Sequence, residues 1–211
     1  ESSCDATIQA DILDRDDCTD AGACFVFRQG PVEMTFETRL KSHNAGAQDE
    51  FGMSVAVSSD GSVVVVGAWQ EDDSGAAYVL EFVDGAWTET AFLKAPAADS
   101  YDRFGVAVDV SGDGSVNAVG SPYEDSCANV SARVDDFDAT DNACAERGAV
   151  FVFERNDGGN WTGTWILKAA SDSLSDEFGA AVSLNFDGTV LLVGTPQDDS
   201  CQTGALNVPG S

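Results

Sequence analysis

The sequence is poor in histidine and in positive charge. It has one histidine, His43, and 10 Lys plus Arg against 37 Asp plus Glu, which gives a formal net charge of −27. Phosphate backbones and anionic lipids repel such a surface, so nucleic acids and anionic membranes are poor partners. The excess acid leaves three interpretations open: binding of divalent cations, binding of a basic partner, or solubility in salty surroundings.

Long apolar segments and catalytic motifs are also missing. No apolar run approaches the ~20 residues that a membrane span requires. The start at Glu1 has no basic segment followed by an apolar one, so we expect that a signal peptide has been removed or that the chain is part of a longer product. G-x-S-x-G, H-E-x-x-H and G-x-x-x-x-G-K-[ST] do not occur. We therefore expect no enzyme activity, although so many carboxylates leave a glycosidase-type acid pair open.

What the chain does contain is a threefold repeat of a Phe-Gly pair followed by a Gly-led dipeptide. Its members are Phe51-Gly52 with Gly67, Phe104-Gly105 with Gly120, and Phe178-Gly179 with Gly194. Fifteen positions separate the second residue of each pair from the later Gly. A Leu-Lys pair precedes each Phe at a constant interval, at Lys41, Lys94 and Lys168. This register indicates a repeat architecture.

Each repeat reads as four β-strands. An Asp-Gly pair between two apolar segments predicts a hairpin at Asp60-Gly61, Asp113-Gly114 and Asp187-Gly188. Two more apolar strands follow, and four strands per ~50 residues are typical of a β-propeller blade. The Lys-to-Lys spacing is 53 for one unit and 74 for the next, and nearly all of the extra length lies between Cys127 and Cys144. An insertion at one place in a repeat maps to one face, commonly the binding face.

The phenylalanines, glycines and lysines of the repeat have a structural interpretation. We expect Phe51, Phe104 and Phe178 to be core wedges between blades rather than a ligand platform. The glycines beside them are expected to allow tight turns or a close approach of strands. The repeated lysines are expected to pack their stems over a strand, with the amines near the acidic turns.

The Phe-Gly…Gly-x-Pro pattern resembles the FG-GAP repeat family, found in the integrin α-subunit propeller and in many bacterial and algal surface proteins. The resemblance covers essentially the whole chain, although Trp69 replaces the usual Pro. It implies an all-β propeller fold of four-stranded blades and says little about function. We divide the chain into part-blade 1–41, blade 51–94, blade 104–168 with the acidic insertion, and part-blade 178–211. The resemblance implies a ring of about seven blades, so two whole blades plus two part-blades are expected to be a partial propeller.

The cysteines and sequons favour an extracellular or cell-surface location. Repeated pairs that bracket polar loops predict the disulfides Cys4–Cys18 and Cys127–Cys144. A zinc site is the rival interpretation, but there is a single histidine and no C-x-x-C pair. The sequons at Asn129 and Asn160 agree with a secreted glycoprotein. Cys24 is expected in the core, and Cys201 is expected to pair beyond Ser211.

Calcium is the one cofactor that the resemblance implies. Integrin-like repeats hold calcium in a hairpin loop D-x-D-x-D-G-x-x-D. Only the middle hairpin keeps oxygen ligands at all four side-chain positions, at Asp109, Ser111, Asp113 and Asn117. An ordinary polar hairpin is the alternative. Two acidic clusters, near residues 11–17 and 135–141, either bind calcium or are solvated loop residues.

These observations favour a structural or adhesion module that binds an extracellular protein or glycan through its loops. Two other classes stay open. The chain is alternatively a filament subunit, in which strand exchange between copies or other blades completes the part-blades. It is otherwise an accessory propeller of a secreted hydrolase whose catalytic domain lies outside these residues.

Overall fold

The structure, a computed structural model, describes residues 18–96, 98–127, 131–136, 144, 146–169 and 175–200. These residues form thirteen β-strands, short 3-10 turns and no α-helix, so the all-β prediction is confirmed. The strands are β1 Cys24–Gln29, β2 Met34–Leu40, β3 Ser54–Val57, β4 Val63–Ala68, β5 Ala76–Val83, β6 Ala86–Leu93, β7 Ala107–Val110, β8 Val116–Ser121, β9 Ala132–Arg133, β10 Ala149–Arg155, β11 Trp161–Leu167, β12 Ala181–Leu184 and β13 Leu191–Gly194.

The strands make four antiparallel sheets with the strand order of propeller blades. A complete sheet runs β3-β4-β5-β6, and the next runs β7-β8-β10-β11 with β9 added at its outer edge. The two-stranded sheets β1-β2 and β12-β13 lie within the segments predicted as part-blades. Every predicted Asp-Gly hairpin is present, and Gly61, Gly114 and Gly188 have the positive φ that such turns require. The strand β9 lies in the insertion and was not predicted.

The Phe-Gly pairs lie before the first strand of each blade rather than in it. The alternation from Phe51 predicts a strand that begins there, but β3 begins at Ser54. Phe51 instead makes an isolated parallel bridge to Gly22 of the preceding sheet. The bridges Gly75–Phe104 and Gly148–Phe178 repeat this contact at the next two boundaries. The repeat signature therefore marks the contact between blades.

The hydrophobic core lies between the blades. Phe51 is 2% exposed and packs with Tyr78 and Leu80 against the β1-β2 sheet. Phe104 is fully buried against Phe151 and Phe153, at the next boundary. The wedge interpretation is confirmed for Phe51 and Phe104, each of which buries a large apolar area, whereas Phe178 is only partly buried. Cys24 is a free, partly buried cysteine packed on the same core, and burial raises the pKa of its thiol to about 11.

Candidate functional site

One end of the blades carries all of the longer loops. Because neighbouring strands are antiparallel, the loops from second to third strand and from fourth to first strand leave the sheet at the same end. We call this the FG end: the described residues of 41–52, 69–75, 94–105, 122–148 and 175–179. Among the described residues, the opposite end carries short hairpins, such as the one between β5 and β6.

A disulfide closes the acidic insertion at the FG end. Cys127 and Cys144, 17 positions apart, are bonded, as predicted. Within the insertion, β9 pairs with β11, and the guanidinium of Arg133 lies 4.6 Å from the ring centroid of Trp165. The insertion is thus held to the edge of its own blade. Cys18 is also disulfide-bonded, while its predicted partner Cys4 lies outside the described residues.

The repeated lysines point inward at the FG end. Lys41 Nζ donates a hydrogen bond to the carbonyl oxygen of Gly22, and Lys94 Nζ donates to that of Glu71 at 3.1 Å. The Lys168 side chain, only 2% exposed, forms a buried ion pair with Glu124. Burial is the main cause that lowers the pKa of Lys168. The predicted structural role of these lysines is confirmed, since each amine is bound within a loop at the base of its own blade.

The exposed surface of the FG end is therefore acidic, with little positive charge to compensate its carboxylates. Asp73, Asp99 and Glu146 are exposed, and the Asp72 side chain is 77% exposed. The described arginines at this end are also engaged. Arg103 lies 4.7 Å from the ring centroid of Trp69 and 4.1 Å from that of Tyr123, and Arg147 is buried. Stacked or buried guanidinium groups offer less charge to a partner than free ones do.

Beneath this surface, two carboxylic acids are buried at the first blade boundary. Asp49 precedes Phe51 by two residues, and Glu71 opens the loop after β4; both are buried. Burial, followed by the facing Asp49 carboxyl, raises the pKa of Glu71 to about 7. At the second boundary, burial raises the pKa of Asp102 to about 7, with Glu124 and Asp125 as further causes. These buried acids were not predicted from the sequence, because Asp49 and Glu71 are 22 positions apart and no local pattern links them.

The four residues of the candidate calcium hairpin do not converge. Ser111 Oγ donates to Asp113 Oδ1 at 2.6 Å, and Asp109 Oδ2 accepts from the backbone N–H of Leu184 in the next sheet. Val110 pairs with Asn117, so Asp109, its neighbour along the strand, lies on the opposite face from Asn117. Asn117 is fully buried and its amide has no hydrogen-bond partner. The four side chains as placed do not fit one calcium ion.

Calcium at this hairpin stays a prediction from the resemblance, and the contacts give it an expected outcome. Asp60, Asp113 and Asp187 each accept a hydrogen bond from the hydroxyl two residues later, so we expect the hairpin to keep its shape without an ion. Excess EDTA should then leave the Tm of calcium-loaded protein unchanged. A fall of several degrees, absent in Asp113→Asn, would establish a structural calcium there.

The remaining predicted site residues and the search for metal and membrane sites complete the description. Asn160 is exposed in the hairpin between β10 and β11, while Asn129 and the acidic residues 11–17, 138 and 141 lie outside the described residues. Within the described part of the chain, no group of three or more His, Cys, Asp or Glu side chains converges as a metal site. None of its helical segments is long and apolar enough to cross a membrane.

Comparison with known proteins agrees with the repeat geometry. The family model described as FG-GAP repeat matches residues 34–80 and 87–133. Each match begins in or near the fourth strand of one sheet, passes through a Phe-Gly pair and ends beyond the second strand of the next. No curated protein matches the chain. The matched unit therefore spans the blade boundary where Phe51 and Phe104 are buried, and these two segments of the chain are similar to FG-GAP repeats.

Proposed function

We propose that this chain is an extracellular or cell-surface structural module for adhesion, which binds protein or glycan partners through the FG end. FG-GAP repeats are typical of extracellular proteins, and the Cys127–Cys144 disulfide fits an oxidising setting. The blades are proposed to belong to a propeller that presents these loops on one face. No catalytic role is proposed for any residue.

The inward direction of Lys41, Lys94 and Lys168 carries this proposal. Lys41 and Lys168 are bound within the loops, and Lys94 reaches only Asp72 among the exposed carboxylates named above, so positive charge compensates little of the acid at this end. A surface of one sign attracts a partner of the opposite sign and suppresses others. The favoured partner is therefore an extracellular protein with a basic surface. Tyr101, 74% exposed at the same end, adds an aromatic face of the kind that binds protein or glycan.

The test compares two variants that remove equal charge from opposite ends. Asp72→Asn/Asp73→Asn changes the FG end, and Asp84→Asn/Asp157→Asn changes the short hairpins. Asp72, Asp73 and Asp84 all have positive φ, which Asn tolerates, so folding should be kept. The probes are a panel of extracellular proteins of basic and acidic pI and a glycan array, at 0.15 M salt.

We expect the wild type to bind basic members of the panel, with affinity that falls as salt rises. The FG-end variant should lose about tenfold in affinity for two charges, and the hairpin-end variant should keep wild-type affinity. Equal loss in both variants, or binding to no member of either panel, would contradict the proposal.

A second candidate is association with further blades or with copies of this chain. Phe25, Phe27 and Phe36 form an aromatic cluster on the β1-β2 sheet, and each is more than half exposed. Phe25 occupies the repeat position of Tyr78, which packs on the preceding blade in the complete sheet. Sedimentation velocity on the same samples separates the two candidates. Self-association of the chain increases with its own concentration, whereas binding of another partner at the FG end does not require self-association.

A further inference from the structure

The buried carboxyl pair Asp49 and Glu71 lies where the β1-β2 sheet meets the first complete blade. Glu71 is 3% exposed and Asp49 is 7% exposed. The Asp49 carboxyl group and the Tyr78 hydroxyl both lie within hydrogen-bonding reach of the Glu71 side chain. Two carboxylates in contact repel strongly when both are charged and shielded from water.

Hydrogen-bond donors approach this pair from both sides. The Tyr78 hydroxyl donates to Asn44 Oδ1 at 2.8 Å, and Asn44 Nδ2 donates to Glu71 Oε1 at 2.5 Å. On the other side, the backbone N–H of Gly46 donates to Asp49 Oδ2. Glu71 Oε2 remains, buried and without a hydrogen-bond partner. A buried acceptor of this kind is costly unless a hydrogen completes its bond.

The surrounding charges do not supply that hydrogen. Lys94 Nζ donates to the Glu71 carbonyl and to Ser74 Oγ, and pairs with the exposed Asp72. Lys41 is near enough to Asp49 to interact electrostatically, but its Nζ donates to the Gly22 carbonyl. Asp72 adds further negative charge toward Glu71.

The next blade boundary shows the same positions with a cation in place. Asp102 and Glu124 are the repeat equivalents of Asp49 and Glu71, and both are buried. There, Lys168 reaches the Glu124 carboxylate directly. At the first boundary the equivalent Lys94 donates to the Glu71 backbone carbonyl instead of to the carboxylate, so Glu71 lacks the direct ion pair that neutralises Glu124.

We propose that Asp49 and Glu71 share a single proton, and that this carboxyl–carboxylate hydrogen bond is a pH-dependent contact that holds the β1-β2 sheet to the first complete blade. When the proton leaves for solvent, the two carboxylates repel and the boundary loosens. The loosened segment, residues 41–50, forms part of the FG end.

The direction of the pH effect follows from the raised pKa of Glu71. An acid that holds its proton more tightly in the folded state stabilises folding at low pH, and this stabilisation is lost as pH rises. The window extends from the ordinary glutamate value of 4.5 to about 7, where Glu71 ionises in the folded protein. Burial also raises the pKa of Asp102. The ionisation of Asp102 therefore adds the same pH dependence of stability to the wild type and to every variant of Glu71.

The first test measures Tm from pH 5 to pH 8 in wild type and Glu71→Gln. The Gln amide donates to Asp49 at every pH and still accepts from Asn44, so it replaces the proton permanently. We expect wild type to lose roughly 5 to 10 °C more than Glu71→Gln across this range, and the variant to have the higher Tm at pH 8.

Glu81→Gln is the matched control in the same sheet. Glu81 is also buried, but Arg155 Nη2 pairs with its Oε2 at 2.6 Å. Removal of its charge should lower Tm at every pH, opposite in sign to Glu71→Gln at pH 8. If Glu71→Gln keeps the full wild-type pH slope, the shared proton is ruled out.

The second test measures the titration in the wild type itself. Carboxyl ¹³C NMR of wild type, with Glu71 assigned by its absence in Glu71→Asp or by selective labelling, should show one titration of the pair near pH 7. Ordinary ionisation of both groups near pH 4 would overturn the proposal, whatever the stability of the variants.

Discussion

Gly75→Ala is expected to lower the free energy of unfolding by about 4 kcal/mol, whereas Gly85→Ala lowers it by about 1 kcal/mol. The two glycines have nearly the same backbone conformation, with φ of +90° and +85°. The strain of a side chain at positive φ is therefore the same in both. Any difference between the stability losses of the two variants therefore measures the steric cost of the added methyl group.

A methyl group at Gly75 meets the backbone of the next blade. Its Cβ would lie 2.0 Å from the carbonyl oxygen of Phe104, while nothing lies within 4 Å of a Cβ at Gly85. The Phe104 backbone is fixed by its parallel bridge to Gly75 and by the fully buried ring. It has no flexible end that can move aside, so the blades themselves must separate.

Urea denaturation at pH 7 measures both costs. A shift in midpoint without a change in m-value assigns the loss to stability rather than to a more open folded state. Equal losses in the two variants would show that backbone strain alone explains the glycine, and would contradict a close approach between blades. Gly67→Ala supplies a second instance, since its Cβ would lie 1.9 Å from the Gly105 carbonyl oxygen.

These glycines show what a single sequence can and cannot reveal. The constant spacing predicted the repeat, the Asp-Gly hairpins and the wedge role of Phe51 and Phe104. It left open whether the glycines beside the phenylalanines, such as Gly105, serve a turn or a close approach. That distinction depends on the distance between two blades, and no local pattern encodes it.

The candidate calcium hairpin shows a limit of motif matching. Asp109 and Asn117 match the motif by spacing, yet the strand register places them on opposite faces of the sheet. The predicted hairpin at Asp113-Gly114 already indicated part of this result. Side chains alternate along a strand, so residues on the two strands of a hairpin are assigned to faces once its turn is placed. The pairing of Asp49 with Glu71 had no such signal, since it depends on how the segment 41–50 folds against the loop after β4.

Lys168→Met is expected to lower the free energy of unfolding by about 3 to 5 kcal/mol. The variant leaves the Glu124 carboxylate buried, with its cation gone and with Asp102 and Asp125 nearby. Such a loss is the cost of an uncompensated buried charge rather than the value of the ion pair itself.

Lys94→Met is the matched control, because it changes the same repeat position in the preceding blade. Lys94 Nζ donates to a carbonyl and a hydroxyl, and its ionic partner Asp72 is largely exposed. We expect a loss of about 1 kcal/mol there, as for an ordinary hydrogen bond. Equal losses at the two positions would show that the lysine stem, and not the charge, stabilises the blade.

The double variant Lys168→Met/Glu124→Gln separates charge from packing at the same site. With the carboxylate neutralised, we expect most of the loss in Lys168→Met to be recovered, because the Met side chain fills much of the space of the lysine stem. Chemical denaturation of the two single variants and the double variant completes the cycle. If the double variant is as unstable as Lys168→Met alone, the instability of Lys168→Met does not come from the unpaired Glu124 carboxylate. The comparison with Asp49 and Glu71, where a proton is proposed to take the place of that cation, would then lose its basis.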